Sequence, residues 1–344
     1  MTIDEVIRLI PKAENHYHID SIAPELIWKF SQRNHVDIAV KSLADIKEYY
    51  QFSNLSEFIE KSMMAISTIC TEEDFFDMVI DCAKDMQRQN IVYREAMINY
   101  TALFGCRGIP LKDMVRGLQR GIEKARQQYG VDIQIIAELD RTASADTNCS
   151  YLQELAQFLD TLPVIAVGLD MQEDGYPAHL QERAFEKAKE LGLYTTAHAG
   201  EDSGAESVWD TIRSLRPDRI DHGVRAVEDQ ALLTHLSENG VFLTLCPDSN
   251  VCLGVYDSWE NFPLPVLLSN HVRCSINSDD PPCFTYDLTG NLSRAAQTFS
   301  LSIDEVVFLV RNAFKYSFAG KKYLPMVDAW VKENLPESLL PAQE

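Results

Sequence analysis

Eight apolar runs of strand length recur along the chain, each followed by a longer stretch of helical period. They are Ala13 to Asp20, Ile91 to Tyr100, Val131 to Leu139, Val164 to Asp170, Leu193 to Gly200, Arg219 to Val224, Val241 to Pro247 and Arg273 to Asp279. Runs such as IQIIAEL, VIAVGLD and VFLTLCP lack the in/out alternation of a half-exposed sheet. Strands buried on both faces read this way, and those belong to parallel sheets covered by helices.

The helical stretches have recognisable ends. Thr71 begins T-E-E-D ahead of an amphipathic run to Asn90, and Ser302 opens S-I-D-E before Val306 to Phe314. Gly130 and Gly192 follow Lys112 to Tyr129 and Gln181 to Leu191, where a helix C-terminus favours glycine. This alternation predicts an α/β fold, a (β/α)₈ TIM barrel occupying 1–344 as one domain. A doubly wound sheet would want a Gly-rich phosphate turn after the first strand, and none is present. One connection is long: roughly 70 residues separate the first two strands, with boundaries good to a few positions. The segment 24–90 is expected to form a helical insertion over the barrel mouth, either a lid or a cover that only buries surface.

Composition excludes several classes. A net charge of −21 disfavours a polynucleotide partner, which needs a basic face. No stretch approaches the roughly 20 apolar residues of a membrane helix, and the N-terminus lacks the apolar core of a signal peptide. Eight cysteines without a C-x-x-C pair read as reduced thiols of a cytoplasmic protein. Oligomeric state is not legible.

The polar residues of the expected strand ends carry the chemistry. His16 and His18 form an H-x-H whose side chains share one face of a strand. His198 and Glu201 end the fifth strand as H-A-G-E, His222 ends the sixth in I-D-H-G, and Asp279 and Asp280 end the eighth in N-S-D-D-P. In a barrel these ends surround one mouth, where barrel enzymes keep their sites. His179 is a weaker fifth histidine for that mouth. Three imidazoles and a carboxylate suit a divalent ion, most often zinc, and hydrolysis by metal-activated water follows as the reaction class. The absence of lysine from Val164 to Asp174, where a bridging carbamate would lie, points to one ion per chain.

These motifs resemble the adenosine/adenine deaminase family of the amidohydrolase superfamily. The resemblance runs from Pro11 to about Ala319 and rests on P-K-A-E-N-H-Y-H-I-D, V-G-L-D, T-A-H-A-G-E, R-I-D-H-G-V-R, L-C-P-D-S-N and S-I-N-S-D-D-P, in that order. It implies a barrel with one Zn²⁺ and hydrolytic removal of the 6-amino group of a purine. It also implies that His16, His18, His198 and Asp279 are the metal ligands, that Glu201 protonates N1 of the ring, that His222 orients or deprotonates the water, and that Asp280 hydrogen-bonds the water or the adduct. The expected partner is a small purine base or nucleoside.

Substrate choice rests on departures from the family pattern. Gly168 to Pro177 reads G-L-D-M-Q-E-D-G-Y-P, similar to the adenine branch, with Glu173 where the adenosine branch carries a glycine. Glu173 is expected to crowd a ribose and contact a free base. H-I-D at His18 to Asp20 resembles the adenosine branch, whose aspartate meets the ribose. Asn15 and Ser21 also depart from the pattern, as packing changes or as marks of a reshaped pocket. Adenine is the leading expectation, with adenosine and an N6-substituted aminopurine beside it. A metal-dependent hydrolase of esters, lactones or amides is a further alternative, although it has no use for a proton donor three residues after His198.

Overall fold

A computed structural model describes residues 1–49, 52 and 54–336, so positions 50, 51 and 53 of the insertion and 337–344 lie outside the described residues. Eight parallel strands follow one another in a sheet of order β1 to β8. They are β1 (Lys12–His18), β2 (Ile91–Asn99), β3 (Asp132–Asp140), β4 (Val164–Asp170), β5 (Tyr194–Ala199), β6 (Arg219–His222), β7 (Phe242–Leu245) and β8 (Arg273–Ile276). The chain beyond β8 returns to β1: His18 N–H donates to the Asp279 carbonyl (2.9 Å) and Asp279 N–H to that of His16 (3.3 Å). The barrel is thereby closed through its own site residues, and the TIM-barrel expectation holds.

The last three strands are shorter than their apolar runs, for local reasons. His222 (φ 59°) turns β6 away, and Asp279 (φ 64°) does the same beyond β8. Pro247, which has no N–H to give a ladder, starts a helix directly after β7. Left-handed backbone at a non-glycine residue is costly, and such positions concentrate at functional sites.

Before β1 lies α1 (Ile3–Leu9). The segment 24–90 is helical, as expected: α2 (Pro24–Asn34), α3 (Leu43–Tyr49), α4 (Leu55–Ser67) and α5 (Glu72–Gln89). A short α6 (Tyr100–Leu103) precedes α7 (Leu111–Tyr129). Of the insertion, α5 is a barrel-wall helix. It packs on α7 at Gly117 and Gly121, where an added Cβ would meet α5 atoms at 2.3 and 2.6 Å. Of the other insertion helices, α4 lines the mouth, whereas α2 pairs with α5 through Lys29–Asp77 and Arg33–Asp74.

The lumen is apolar near its middle, where Met97, Ile136 and Ala166 pack with Phe318. Below lies a buried ionic layer. Arg219 reaches Glu95 Oε2 (2.5 Å), donates to the Asn15 carbonyl (2.9 Å), lies 3.3 Å from Asp221 Oδ1 and covers the Phe318 ring. Replacing Arg219 by methionine would leave Glu95 and Asp221 buried without their cation. The expected cost is about 3–5 kcal/mol, the usual scale for breaking a buried ion pair. Chemical denaturation checks it, and a loss under about 1 kcal/mol would show that the layer relaxes without the cation.

Asn15 belongs to this packing and not to the pocket. Its amide donates to the Ala313 carbonyl (3.0 Å) and its Oδ1 accepts from Ser275 (3.3 Å). Cys70, Cys82, Cys149, Cys246, Cys252, Cys274 and Cys283 are free thiols. Among the described residues no helix is long and apolar enough to cross a membrane.

Candidate active site

The strand ends bring His16, His18, His198 and Asp279 together at the C-terminal mouth, one donor atom of each lying within 4.8 Å of the others. His18 Nε2 lies 3.3 Å from His198 Nε2, and Asp279 Oδ1 lies 3.1 Å from His16 Nε2 and 3.4 Å from His18 Nε2. Four ligands placed tetrahedrally about 2.1 Å from one ion would stand about 3.4 Å apart.

The tautomers agree with this geometry. His198 Nδ1 can only donate to the Leu169 carbonyl (3.0 Å), which leaves the Nε2 lone pair free. Thr244 donates its hydroxyl hydrogen to Asp221 Oδ1 (2.7 Å) and so accepts from His16 Nδ1 (3.1 Å). His16 Nε2 is buried without a hydrogen-bond partner, as a ligand atom awaiting an ion would be. Burial works against the Asp221 charge, but Arg219, His16 and His198 hold its pKa down at about 2. Donor set and geometry fit one divalent ion.

A second donor group shares His16 and Asp279 and adds His222 and Cys246. Cys246 donates its S–H to the Thr244 carbonyl (3.7 Å) and burial pushes the thiol well above its usual range, so ligation there would cost that contact and release a proton. The imidazole–carboxylate set is the better fit.

Beside the cluster, His222 Nε2 lies 3.6 Å from Glu201 Oε1 and 3.9 Å from Asp279 Oδ2. Burial lowers the His222 pKa to about 4, so the imidazole is neutral at pH 7. Glu201 shifts the other way: burial first, then the charges of Asp279 and Glu173, hold its carboxyl well above the usual range. Burial thus favours the protonated form of Glu201 and the neutral form of His222, two groups 3.6 Å apart. Burial and Asp279 likewise raise Asp280, which accepts a hydrogen bond from Ser21.

The pocket above is lined by His18, His198, Glu201, His222, Asp279 and Asp280, by Asp20, Ser21 and Asp170, and by a roof from α4. One face of that helix supplies Leu55, Phe58, Ile59, Met63 and Ile66, at helical spacing. Phe58 and Met63 therefore line the pocket, whereas Trp28 packs against the core.

Two expected positions fall elsewhere. The Glu173 side chain turns away from the pocket and under the loop after β5, where backbone amides take up its carboxylate. A free-base contact by Glu173 is therefore corrected by this structure. His179 lies on the surface, its Nδ1 3.1 Å from Asp210. Asp20 does line the pocket, with Oδ2 accepting the Asn99 N–H (3.0 Å).

Several site residues had no role on sequence grounds. Asn250, the last residue of C-P-D-S-N, places its amide nitrogen 3.4 Å from Glu201 Oε1 and 3.3 Å from His222 Nδ1. Asp221 and Thr244 orient His16, and Asp170 lines the pocket. Glu138 fills the space left by Gly168, where an added Cβ would lie 1.9 Å from its carboxylate oxygen. The motif I-D-H-G held a signal for Asp221, because alternation puts it on the face opposite Ile220, and the left-handed turn at His222 (φ 59°) then brings both side chains beside His16.

A closed parallel barrel with an imidazole–carboxylate cluster and a buried carboxyl of raised pKa at its C-terminal mouth defines a metal-dependent hydrolase of the amidohydrolase type. Comparison with known proteins narrows that class. The chain belongs to the adenosine deaminase family, which it matches over residues 11–327. It is 35% identical to an adenine deaminase of Sphingopyxis alaskensis, over 93% of this chain and 95% of that one. An adenine deaminase structure from Arthrobacter aurescens superposes with a TM-score of 0.90 at 31% identity, covering 94% of this chain and 99% of that one. A zinc-bound amidohydrolase from Burkholderia ambifaria shares the fold, with a TM-score of 0.87 at 20% identity, covering 96% and 92% of the two chains. The chain is accordingly a hydrolase acting on C–N bonds, a purine deaminase.

Proposed function

We propose that the chain hydrolyses the 6-amino group of adenine, with one Zn²⁺ held by His16, His18, His198 and Asp279. The observation that carries this reading is the buried Glu201 carboxyl 3.6 Å from His222, above the donor cluster, where burial and neighbouring carboxylates favour its protonated form. A divalent ion in that cluster supplies an activated water at neutral pH.

The chain's own groups do the rest. Glu201 donates its proton to N1 of the ring, which leaves C6 electron-poor. His222 orients the attacking water and takes its proton. Asp280 accepts a hydrogen bond from the water oxygen's remaining proton, or from the adduct. A C6–O bond forms, the C6–N6 bond breaks, N6 leaves as ammonia with the proton taken from water, and the proton left on the C6 oxygen returns to Glu201 as the C6 carbonyl forms.

The pocket's chemistry supports a small uncharged purine. Five carboxylates line it (Asp20, Asp170, Glu201, Asp279 and Asp280) and no Lys or Arg does, among the described residues. A phosphate would meet like charge without a counter-ion. The roof offers ribose hydroxyls little, because Ser62 already donates to the Phe58 carbonyl (2.7 Å). Each hydroxyl buried there unpaired would cost about 1–3 kcal/mol. Adenosine is the second reading, favoured by Asp20 in the pocket wall.

The test is a panel of adenine, adenosine, AMP and N6-methyladenine, followed by ultraviolet absorbance and amine release on enzyme of known metal content. Adenine is expected to exceed adenosine in kcat/KM by about 10²-fold or more, the cost of two unpaired hydroxyls, and AMP to be inert. Preference for adenosine would make Asp20 the specificity residue. Ester hydrolysis without any deamination would overturn the reading.

A further inference from the structure

We propose that Glu173 is the positioning residue for Glu201: its carboxylate gathers three successive backbone amides and so fixes the peptide from which the Glu201 side chain is aimed. The inference rests on the reading of Glu201 as the proton donor. Glu173 Oε1 accepts the N–H groups of Glu201 (2.7 Å) and Asp202 (3.2 Å), and Oε2 accepts that of Gly200 (2.9 Å) together with the Ser207 hydroxyl. In return the Glu173 N–H donates to the Asp202 carboxylate (3.1 Å).

Three consecutive amides converge on one anion only where the backbone forms a concave nest. Gly200, at φ 69°, supplies the left-handed residue that this requires, and an added Cβ there would lie 2.5 Å from Val208. The loop after β4 thus latches the loop after β5. On the other side Arg141 donates to the His198 carbonyl and, at 3.2 Å, to that of Asp170. The peptide between His198 and Glu201 is held from both flanks. Pinning the Glu201 backbone leaves its side-chain torsions to choose one position, with Oε1 3.6 Å from His222 Nε2. A displacement of about 1 Å at such a group can cost 10²-fold in rate.

The test compares Glu173→Gln, Glu201→Gln and the double variant in kcat, KM, metal content and melting temperature. Glutamine keeps the shape of Glu173 but turns an NH₂ toward the amides. Glu173→Gln is expected to retain one metal per chain and a KM within about threefold, and to lose kcat about 10- to 10²-fold. In the Glu201→Gln background the same change should cost under about threefold more, because residues acting through one another are non-additive. Losses that multiply would mean an independent, merely structural role and overturn the proposal, as would full kcat in Glu173→Gln alone. Full turnover of Glu201→Gln would instead remove the donor reading, and this inference with it. If Glu173→Gln does not fold, Ser207→Ala removes one of the four donors and carries the same comparison at smaller amplitude.

Discussion

Glu201→Gln is expected to bind metal as the parent does and to lose about 10²–10⁴-fold in kcat, the range that general acid catalysis supplies. The argument is one of protonation state. Glutamine matches glutamic acid in shape and still offers an N–H to N1 of the ring, so binding should change little. It cannot release a proton, so the adduct forms without the charge relief that protonation of N1 provides. The wild-type carboxyl is suited to the task because burial and the neighbouring charges of Asp279 and Glu173 raise its pKa and so favour the protonated form. KM and metal content should stay within a few-fold of the parent, which separates loss of the acid from loss of the site. Turnover within about tenfold of the parent, with metal bound, would take the proton-donor role away from Glu201.

Removing the ion is expected to have the second large effect. His18 Nε2 lies 3.3 Å from His198 Nε2 and 3.4 Å from Asp279 Oδ1, and a bound ion would hold these donors together. A chelator should abolish turnover, and one equivalent of Zn²⁺ should restore it. Stability should fall as well, because a ligand that binds only the folded state stabilises it by about 4 kcal/mol at a free concentration a thousand times its Kd. Thr244→Val, which removes the group that accepts from His16 Nδ1, should weaken metal affinity about 10- to 100-fold without touching a ligand. Elemental analysis and thermal melts check each step. Full activity at less than a tenth of an equivalent of metal would overturn the metal reading.

Much of this site is legible in the chain because barrel strands convert sequence position into direction. Two residues apart on β1 means one face, so His16 and His18 had to point together. Polar residues ending otherwise apolar, two-face-buried runs had to lie at one mouth. The insertion was legible as helical, since its periodicity is local. Its composition did not show which face meets the substrate: Phe58 and Met63 reach the pocket, but Trp28, from the same segment, packs inward.

Glu173 shows where sequence reading stops. A carboxylate placed between β4 and the following helix can face a ligand or a neighbouring loop, and nothing nearby in the chain distinguishes the two. Its partners at Gly200, Glu201, Asp202 and Ser207 lie 27 to 34 positions away and are brought to it only by strand pairing. Asn250 and Thr244 were hidden for the same reason, because an amide or a hydroxyl acquires its task from whichever strand end stands opposite.

The amino-acid sequence by itself determined the barrel, the mouth and the donor types, because strand period, helix caps and residue chemistry act over a few residues. The tertiary structure decided which carboxyl is pushed toward its protonated form, which one anchors a loop and what roofs the pocket. Those properties follow from burial and from charges on other strands, and neither exists until the barrel closes.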